Sequence, residues 1–218
     1  MGLPVLILGE SGSGKSTSLR NFNKDELVIY NVAGKPLPFR KRLPMKNNAT
    51  YATIYKGLQK PSRKAYVIDD SQYLMAFEEL DRAKETGYGK FTDMAVSFQQ
   101  LLQRASWTSE DTNVYFLMHP DTDEMGREKP KTIGKMLDEK LCVEGLFPIV
   151  IDARVQQGED GRPRHVFVTE NDGTNLAKAP MGMLPPTMDT DLRAVDEAIR
   201  EYWGMRPIVD APESAETE

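Results

Sequence analysis

The sequence predicts an α/β fold, a mainly parallel β-sheet flanked by helices on both faces, with room for antiparallel strands late in the chain. Three observations predict it. Short apolar runs recur along the 218 residues, and several are continuous rather than alternating, as strands covered on both faces read. Segments with apolar residues at helical spacing lie between them. The first run also leads directly into a glycine-rich stretch, GESGSGKST at residues 9–17, followed by a helix-like segment.

In chain order, Leu3–Leu8 reads as the first strand and residues 15–21 as a short helix behind the glycine-rich stretch. Leu27–Val32 is the second strand. Residues 33–50, rich in Pro and Lys, read as a loop, and Tyr51 and Tyr55, four apart, mark a helix running to Lys60. Ala65–Ile68 is a third strand. Met94, Phe98, Leu101, Leu102 and Ala105 recur at the period of a buried helix face. Val114–Met118, Pro148–Ile151 and His165–Val168 complete the strands, with EDGRPR (159–164) as a turn between the last two. Leu192, Val195, Ile199, Tyr202 and Trp203 mark a final helix, with Asp189 or Thr190 as its cap and Gly204 as its stop. One domain is expected over 1–204. The tail 205–218 carries Asp210, Glu213, Glu216 and Glu218, and its composition is that of an acidic disordered end.

Hydrophobic residues make up 39% of the chain, enough for a sizeable core, and the net charge of −5 argues against a simple nucleic-acid coating protein. One cysteine, Cys142, excludes an internal disulfide framework and fits a reducing compartment. His119 and His165 stand far apart, and no Cys/His cluster has zinc spacing. The run Leu3–Leu8 is too short to span a membrane and does not read as a secretory leader. These features imply a cytoplasmic protein without membrane contact. Charge is uneven: nine Lys and Arg residues and no acid lie between Gly34 and Lys64. That segment could track a phosphate backbone, or it could be a solvated lysine-rich loop.

Gly9, Gly14, Lys15 and Ser16 fit G-x-x-x-x-G-K-[ST], between a strand and a helix, which is the context the phosphate-binding loop requires. Glycines let the backbone curl so that its N–H groups point inward, and the helix start adds partial positive charge. Residues Gly9, Glu10, Ser11, Gly12, Ser13, Gly14, Lys15, Ser16 and Thr17 are therefore expected to hold ATP. Lys15 would reach the β- and γ-phosphates, and the Ser16 hydroxyl would help ligate Mg²⁺.

A nucleotide hydrolase also needs a carboxylate at the end of a neighbouring buried strand. AYVIDDS (65–71) supplies Asp69 and Asp70. Position assigns the metal to Asp69 and makes Asp70 the candidate base; side-chain alternation leaves the reverse open. Asp70 or Ser71 could instead cap the next helix. His119 ends a buried strand, where it could sense the γ-phosphate or the attacking water, or serve only structurally.

The order of these features resembles the RecA-like P-loop ATPase core. The resemblance places mobile, DNA-lining loops at residues 83–92 (AKETGYGKFT) and 120–131, followed by a helix start at TIGKMLDEK (132–140). GKPLPFR, IDDSQYLM, GYGKFTDMA, KTIGKMLDEKL and LAKAPMGMLPP look like the AAA-type nucleotide-binding ATPases of tailed-phage recombination and replication modules, some of them similar to single-strand annealing proteins. The resemblance runs from about Leu3 to Trp203. It implies ATP and Mg²⁺ as ligands, single-stranded DNA and phage or host replication proteins as partners, and a homo-oligomer or filament as the working form. It also implies a cation acting between subunits, for which Lys135, Lys140, Arg154 and Lys178 are the candidates. In RecA-like enzymes a glutamate ends the strand after the phosphate-loop helix; here that strand reads IYNVAGKP, without an acid. In this setting Phe39, Tyr51 and Tyr55 could stack bases beside the basic residues, or Tyr51 and Tyr55 could form the inner face of a helix.

The leading function is an ATP-hydrolysing protein of DNA recombination, annealing or replication, with Lys15, Asp70 and His119 catalytic and Ser16 and Asp69 on the metal. The alternatives are a loader or motor acting on a protein, a small-molecule or nucleotide kinase, and a nucleotide-gated binding module. Residues 120–131 carry a single arginine, Arg127, beside several acids, which speaks against the arginine-rich lid common in kinases.

Overall fold

The structure is a computed structural model that describes residues 1–134, 137, 140–158 and 160–208. Among the described residues ten strands are present: β1 Leu3–Leu8, β2 Leu27–Asn31, β3 Met45–Asn47, β4 Ala65–Asp69, β5 Asn113–Met118, β6 Pro120–Thr122, β7 Glu128–Pro130, β8 Ile149–Gln157, β9 Pro163–Val168 and β10 Thr187–Asp189. The α-helices are α1 Tyr51–Gln59, α2 Tyr73–Asp81, α3 Gly89–Ser106 and α4 Leu192–Trp203, and a 3₁₀ helix spans Ser16–Asn21.

Eight strands form one sheet in the order β10-β9-β8-β1-β5-β4-β2-β3. From β8 to β3 every pairing is parallel, while β9 and β10 add antiparallel pairs at one edge. This is the expected α/β arrangement, with the strand order of a P-loop NTPase fold. The phosphate-loop strand β1 pairs with β5, which separates it from β4 and its terminal acid. Alternate residues of each central strand feed two cores. Leu6, Leu8, Phe116 and Met118 pack with α1, α2 and α3, while Val5, Ile7, Tyr115 and Leu117 pack with the 3₁₀ helix and α4. Burial on both faces is the physical reason for the continuous apolar strands.

Several elements differ from the sequence expectations. The loop expected over 33–50 contains the edge strand β3, paired with β2 from Ile29 to Asn31. The helix behind the phosphate loop is a short 3₁₀ segment, ended by Phe22, which turns extended and buries its ring. The cap of α4 is Asp191, whose carboxylate accepts from the N–H of Arg193 at 3.0 Å and of Ala194 at 3.3 Å; Asp189 is spent in β10. Gly204 does end α4, at φ 60°. Leu192, Val195 and Ile199 are buried, but Tyr202 and Trp203 are half exposed, because the last turn runs past the sheet. Segment 120–131 is a two-stranded hairpin of β6 and β7, and residues 89–92 already belong to α3. The turn between β8 and β9 lies where EDGRPR placed it, although Pro163 and Arg164 are part of β9 and Glu159 lies outside the described residues.

Beyond Gly204 the chain keeps contact with the body. Ile208 is buried in the second core, and the Lys64 ammonium donates to the Pro207 carbonyl. Asp210, Glu213, Glu216 and Glu218 lie outside the described residues. Among the described residues no helix is long and apolar enough to cross a membrane.

Candidate nucleotide-binding site

The site forms at the carboxyl ends of the parallel strands. β1 delivers the chain to Gly9, where a Cβ would stand 2.5 Å from the Ala153 carbonyl oxygen and 2.6 Å from Ser13 Oγ. Any side chain would push the loop off β8. Gly12 and Gly14 take φ of 82° and 99°, the left-handed region that lets the loop curl. The Lys15 ammonium folds back on this loop and donates to the Gly9 carbonyl at 2.5 Å and the Glu10 carbonyl at 3.0 Å. Burial lowers its pKa, against the pull of Asp70 and Asp69. The buried Ser13 hydroxyl has no hydrogen-bond partner among the described residues.

β4 ends at Asp69 in register with Asn31 of β2. Asp69 Oδ1 accepts from the Ser16 hydroxyl at 3.0 Å, joining the two halves of the expected metal site across 53 residues. Burial and the charge of Asp70 push the Asp69 carboxyl up to about 6, against hydrogen bonding from Ser16 and the charge of Lys15. Mg²⁺ keeps most of its water and asks the protein for one or two oxygen ligands. A carboxylate hydrogen-bonded to a phosphate-loop serine fits that demand.

Asp70 adopts φ 60°, one of two non-glycine residues among those described with positive φ. Its Oδ2 lies 2.8 Å from Lys35 Nζ and its Oδ1 3.3 Å from His119 Nε2. Burial alone would raise its pKa, but the hydrogen bonds from His119 and Lys35 outweigh burial and hold it down at about 2. Neither Asp70 nor Ser71 caps α2 through its side chain. The Ser71 hydroxyl donates to the Leu117 carbonyl instead, tying the acidic turn to β5. His119 therefore stands where the sequence placed it, at the end of β5 and in contact with the second carboxylate.

Two residues of the cleft were not singled out by sequence. Lys35 follows Gly34, whose φ of 69° turns the chain after β2, and lies four residues past Asn31, the end of that strand. The signal was present in NVAGKP, but there it read only as a missing acid. His165 on β9 stands beside Gly14, with its Nδ1 3.3 Å from where a Cβ would be. Together Gly12, Lys15, Ser16, Lys35, Asp69, Asp70, His119 and His165 line a cleft of about 380 Å³. A larger hollow of about 570 Å³ lies elsewhere, lined by Gly2, Leu3, Pro148 and Trp203 and by no phosphate-loop residue.

The inter-subunit candidates have different surroundings. The Arg154 guanidinium is engaged within its own chain, 2.6 Å from Asp152 and 3.0 Å from Glu128. The backbone of Lys178 pairs with Val150, Lys140 is exposed, and Lys135 lies outside the described residues. Of the aromatic residues in the basic segment, Tyr51 and Tyr55 pack against the first core and Phe39 against the second. Tyr51 and Tyr55 are turned inward because α1 presents them on the same side as Ile54 and Leu58.

No protein-family model matches the sequence, and no curated protein matches it. Among solved structures, the chain is similar to the pilus retraction motor PilT with bound ADP, at 11% identity and a TM-score of 0.41, over 76% of this chain and 46% of that one. It is also similar to the ATPase DotB of Legionella pneumophila, at 9% identity and a TM-score of 0.37, over 79% of this chain and 47% of that one. The chain thus aligns with less than half the length of either protein. The P-loop class follows instead from its own strand order and loop geometry.

Proposed function

We propose that this chain binds ATP with Mg²⁺, hydrolyses it, and acts in phage-type DNA recombination, single-strand annealing or replication. The observation that carries the nucleotide reading is the 3.0 Å contact of the Ser16 hydroxyl with Asp69 at the mouth of the glycine loop. Lys15 and the loop amides would hold the phosphates, and Ser16 with Asp69 would hold the metal, whose charge stabilises the phosphoryl group in transfer. Asp70 would orient and deprotonate the attacking water, with His119 fixing its carboxylate. The DNA reading is supported by the order of features along the chain. It is also supported by the position of the 120–131 hairpin, which leaves the site directly after His119, and by Tyr88, exposed in segment 83–92. A homo-oligomer or filament would let a lysine or arginine of one subunit reach the next subunit's nucleotide.

The test is ATP hydrolysis measured with and without single-stranded DNA, for wild type and Lys15→Ala. DNA-stimulated turnover that the substitution abolishes is the expected result. Turnover that requires a nucleoside or sugar acceptor would replace this reading with a kinase. Asp70→Asn should keep nucleotide binding and lower turnover by about 10²–10⁴-fold, the usual contribution of a general base; unchanged turnover would remove Asp70 from that role. One observation favours a second reading, a nucleotide-gated module with little turnover: both oxygens of Asp70 are engaged by cationic or hydrogen-bonding side chains. Absence of hydrolysis despite tight ATP binding would select it.

A further inference from the structure

We infer that Lys35 reads the γ-phosphate, so that the site tells a nucleoside triphosphate from a diphosphate through an exchange of partners: Lys35 leaves Asp70 for the terminal phosphate. The inference rests on the nucleotide reading of the cleft and deepens it.

The base of Lys35 is fixed and its head is not. The Asn31 side chain donates to the Lys35 carbonyl at 2.6 Å and to Asn47 Oδ1 at 2.9 Å, pinning the turn between β2 and β3. Beyond that turn the Lys35 side chain is 62% exposed, with its ammonium 2.8 Å from Asp70 Oδ2 and 5.4 Å from the centre of the Tyr73 ring. Such an exposed pair holds weakly, so a stronger acceptor can take the ammonium. Lys15 and Lys35 line the same cleft. A terminal phosphate offers three oxygens and more than one negative charge, against the single charge of a carboxylate already shared with His119. A diphosphate lacks that group.

The exchange has a consequence for Asp70. While Lys35 holds Oδ2, that oxygen is not open to a water in the cleft. Removal of Lys35 to the phosphate returns that oxygen to the cleft, so the acid becomes available only when a γ-phosphate is present.

The experiment is equilibrium binding of Mg·ADP and Mg·ATPγS to the full chain, followed by fluorescent-nucleotide titration. Wild type should prefer ATPγS by about tenfold, the size of one charge-assisted contact. Lys35→Met should erase the preference while leaving ADP affinity within about twofold, and Lys35→Arg should keep part of it, which separates loss of charge from misfolding. Asp70→Asn, which removes the competing carboxylate in a residue type that tolerates the left-handed region, should raise the preference. Equal loss of both nucleotides in Lys35→Met, or loss of neither, would overturn the inference. Wild type that binds ADP with no preference for ATPγS would overturn it alone, and wild type that binds neither nucleotide would overturn the nucleotide reading together with it.

Discussion

Two carboxylates sit among cations at different parts of this molecule, and they are built differently. Asp70, at the phosphate-loop end of the sheet, adopts a left-handed backbone, and its lysine partner is mostly exposed. Asp196, on α4, is fully buried. Its Oδ1 accepts from Asn113 Nδ2 at 2.7 Å and the Tyr115 hydroxyl at 2.6 Å, and its Oδ2 meets Arg200 Nε at 2.5 Å. Arg200, also buried, donates further to the carbonyls of Asp111, Arg206 and Lys64. The second network is buried and shut, and it fastens α4 to the start of β5 and to the chain before β4. The first is open and can change partners. Equal chemistry thus serves adhesion in one place and exchange in the other, and what separates them is solvent access.

The largest expected effect breaks the closed network. Asp196→Ala strands a buried guanidinium and leaves Asn113 and Tyr115 without their acceptor. It should cost about 3–5 kcal/mol of unfolding free energy, the range for removing one member of a buried pair. Urea denaturation reads this directly. Asp196→Ala with Arg200→Met should cost less than the sum of the two single changes; additivity would show that the groups act independently.

Asp69 tests the opposite expectation, that a functional carboxylate weakens the empty fold. Its pKa is raised to about 6 from 3.8, because burial and Asp70 disfavour its charge. Between these values the folded chain binds more protons than the unfolded one, so this group's contribution to stability falls as pH rises from about 4 to 6. Asp69→Asn should stabilise the nucleotide-free protein at pH 7 by about 1–3 kcal/mol and flatten that slope, while Mg²⁺-dependent nucleotide binding is lost. Thermal melts across pH 4–8, paired with binding, decide it; a destabilised variant would make Asp69 structural.

How much of this was legible in sequence depends on the range of the interaction. β1, the glycine loop, the β4 carboxylates and His119 were readable because each is a local pattern: a run, a spacing, a strand end. The inward face of α1 and the core face of α3 were readable from period. Lys35 was not, since its role depends on a turn after β2 reaching across to β4, and a basic run hides which member points into a cleft. Asp196 and Arg200, four apart on a helix, have the spacing of an ordinary surface ion pair. Only the sheet beneath them makes them core. Asp191 took the cap because β10 extended to Asp189, a pairing that local sequence does not display.

The smallest expected effect sharpens the comparison most. Asp70→Asn removes the Lys35 pair, yet Lys35 is mostly solvated and such pairs contribute about 0–1 kcal/mol. The folded pKa of Asp70, about 2, lies below the unfolded value, so whatever stability its charge gives is present above about pH 4 and fades as pH falls towards 2. At pH 7 the variant should therefore melt within a few degrees of wild type, on the scale of a shift of about 1 kcal/mol in a domain this size. Its loss of stability between pH 4 and 2 should be shallower than that of wild type. A penalty as large as that of Asp196→Ala would mean that the open network is also a fastening, and the exchange of Lys35 between carboxylate and phosphate would then have to work against the fold. A near-neutral melt beside altered nucleotide preference would place the cost of Asp70 in function rather than in folding.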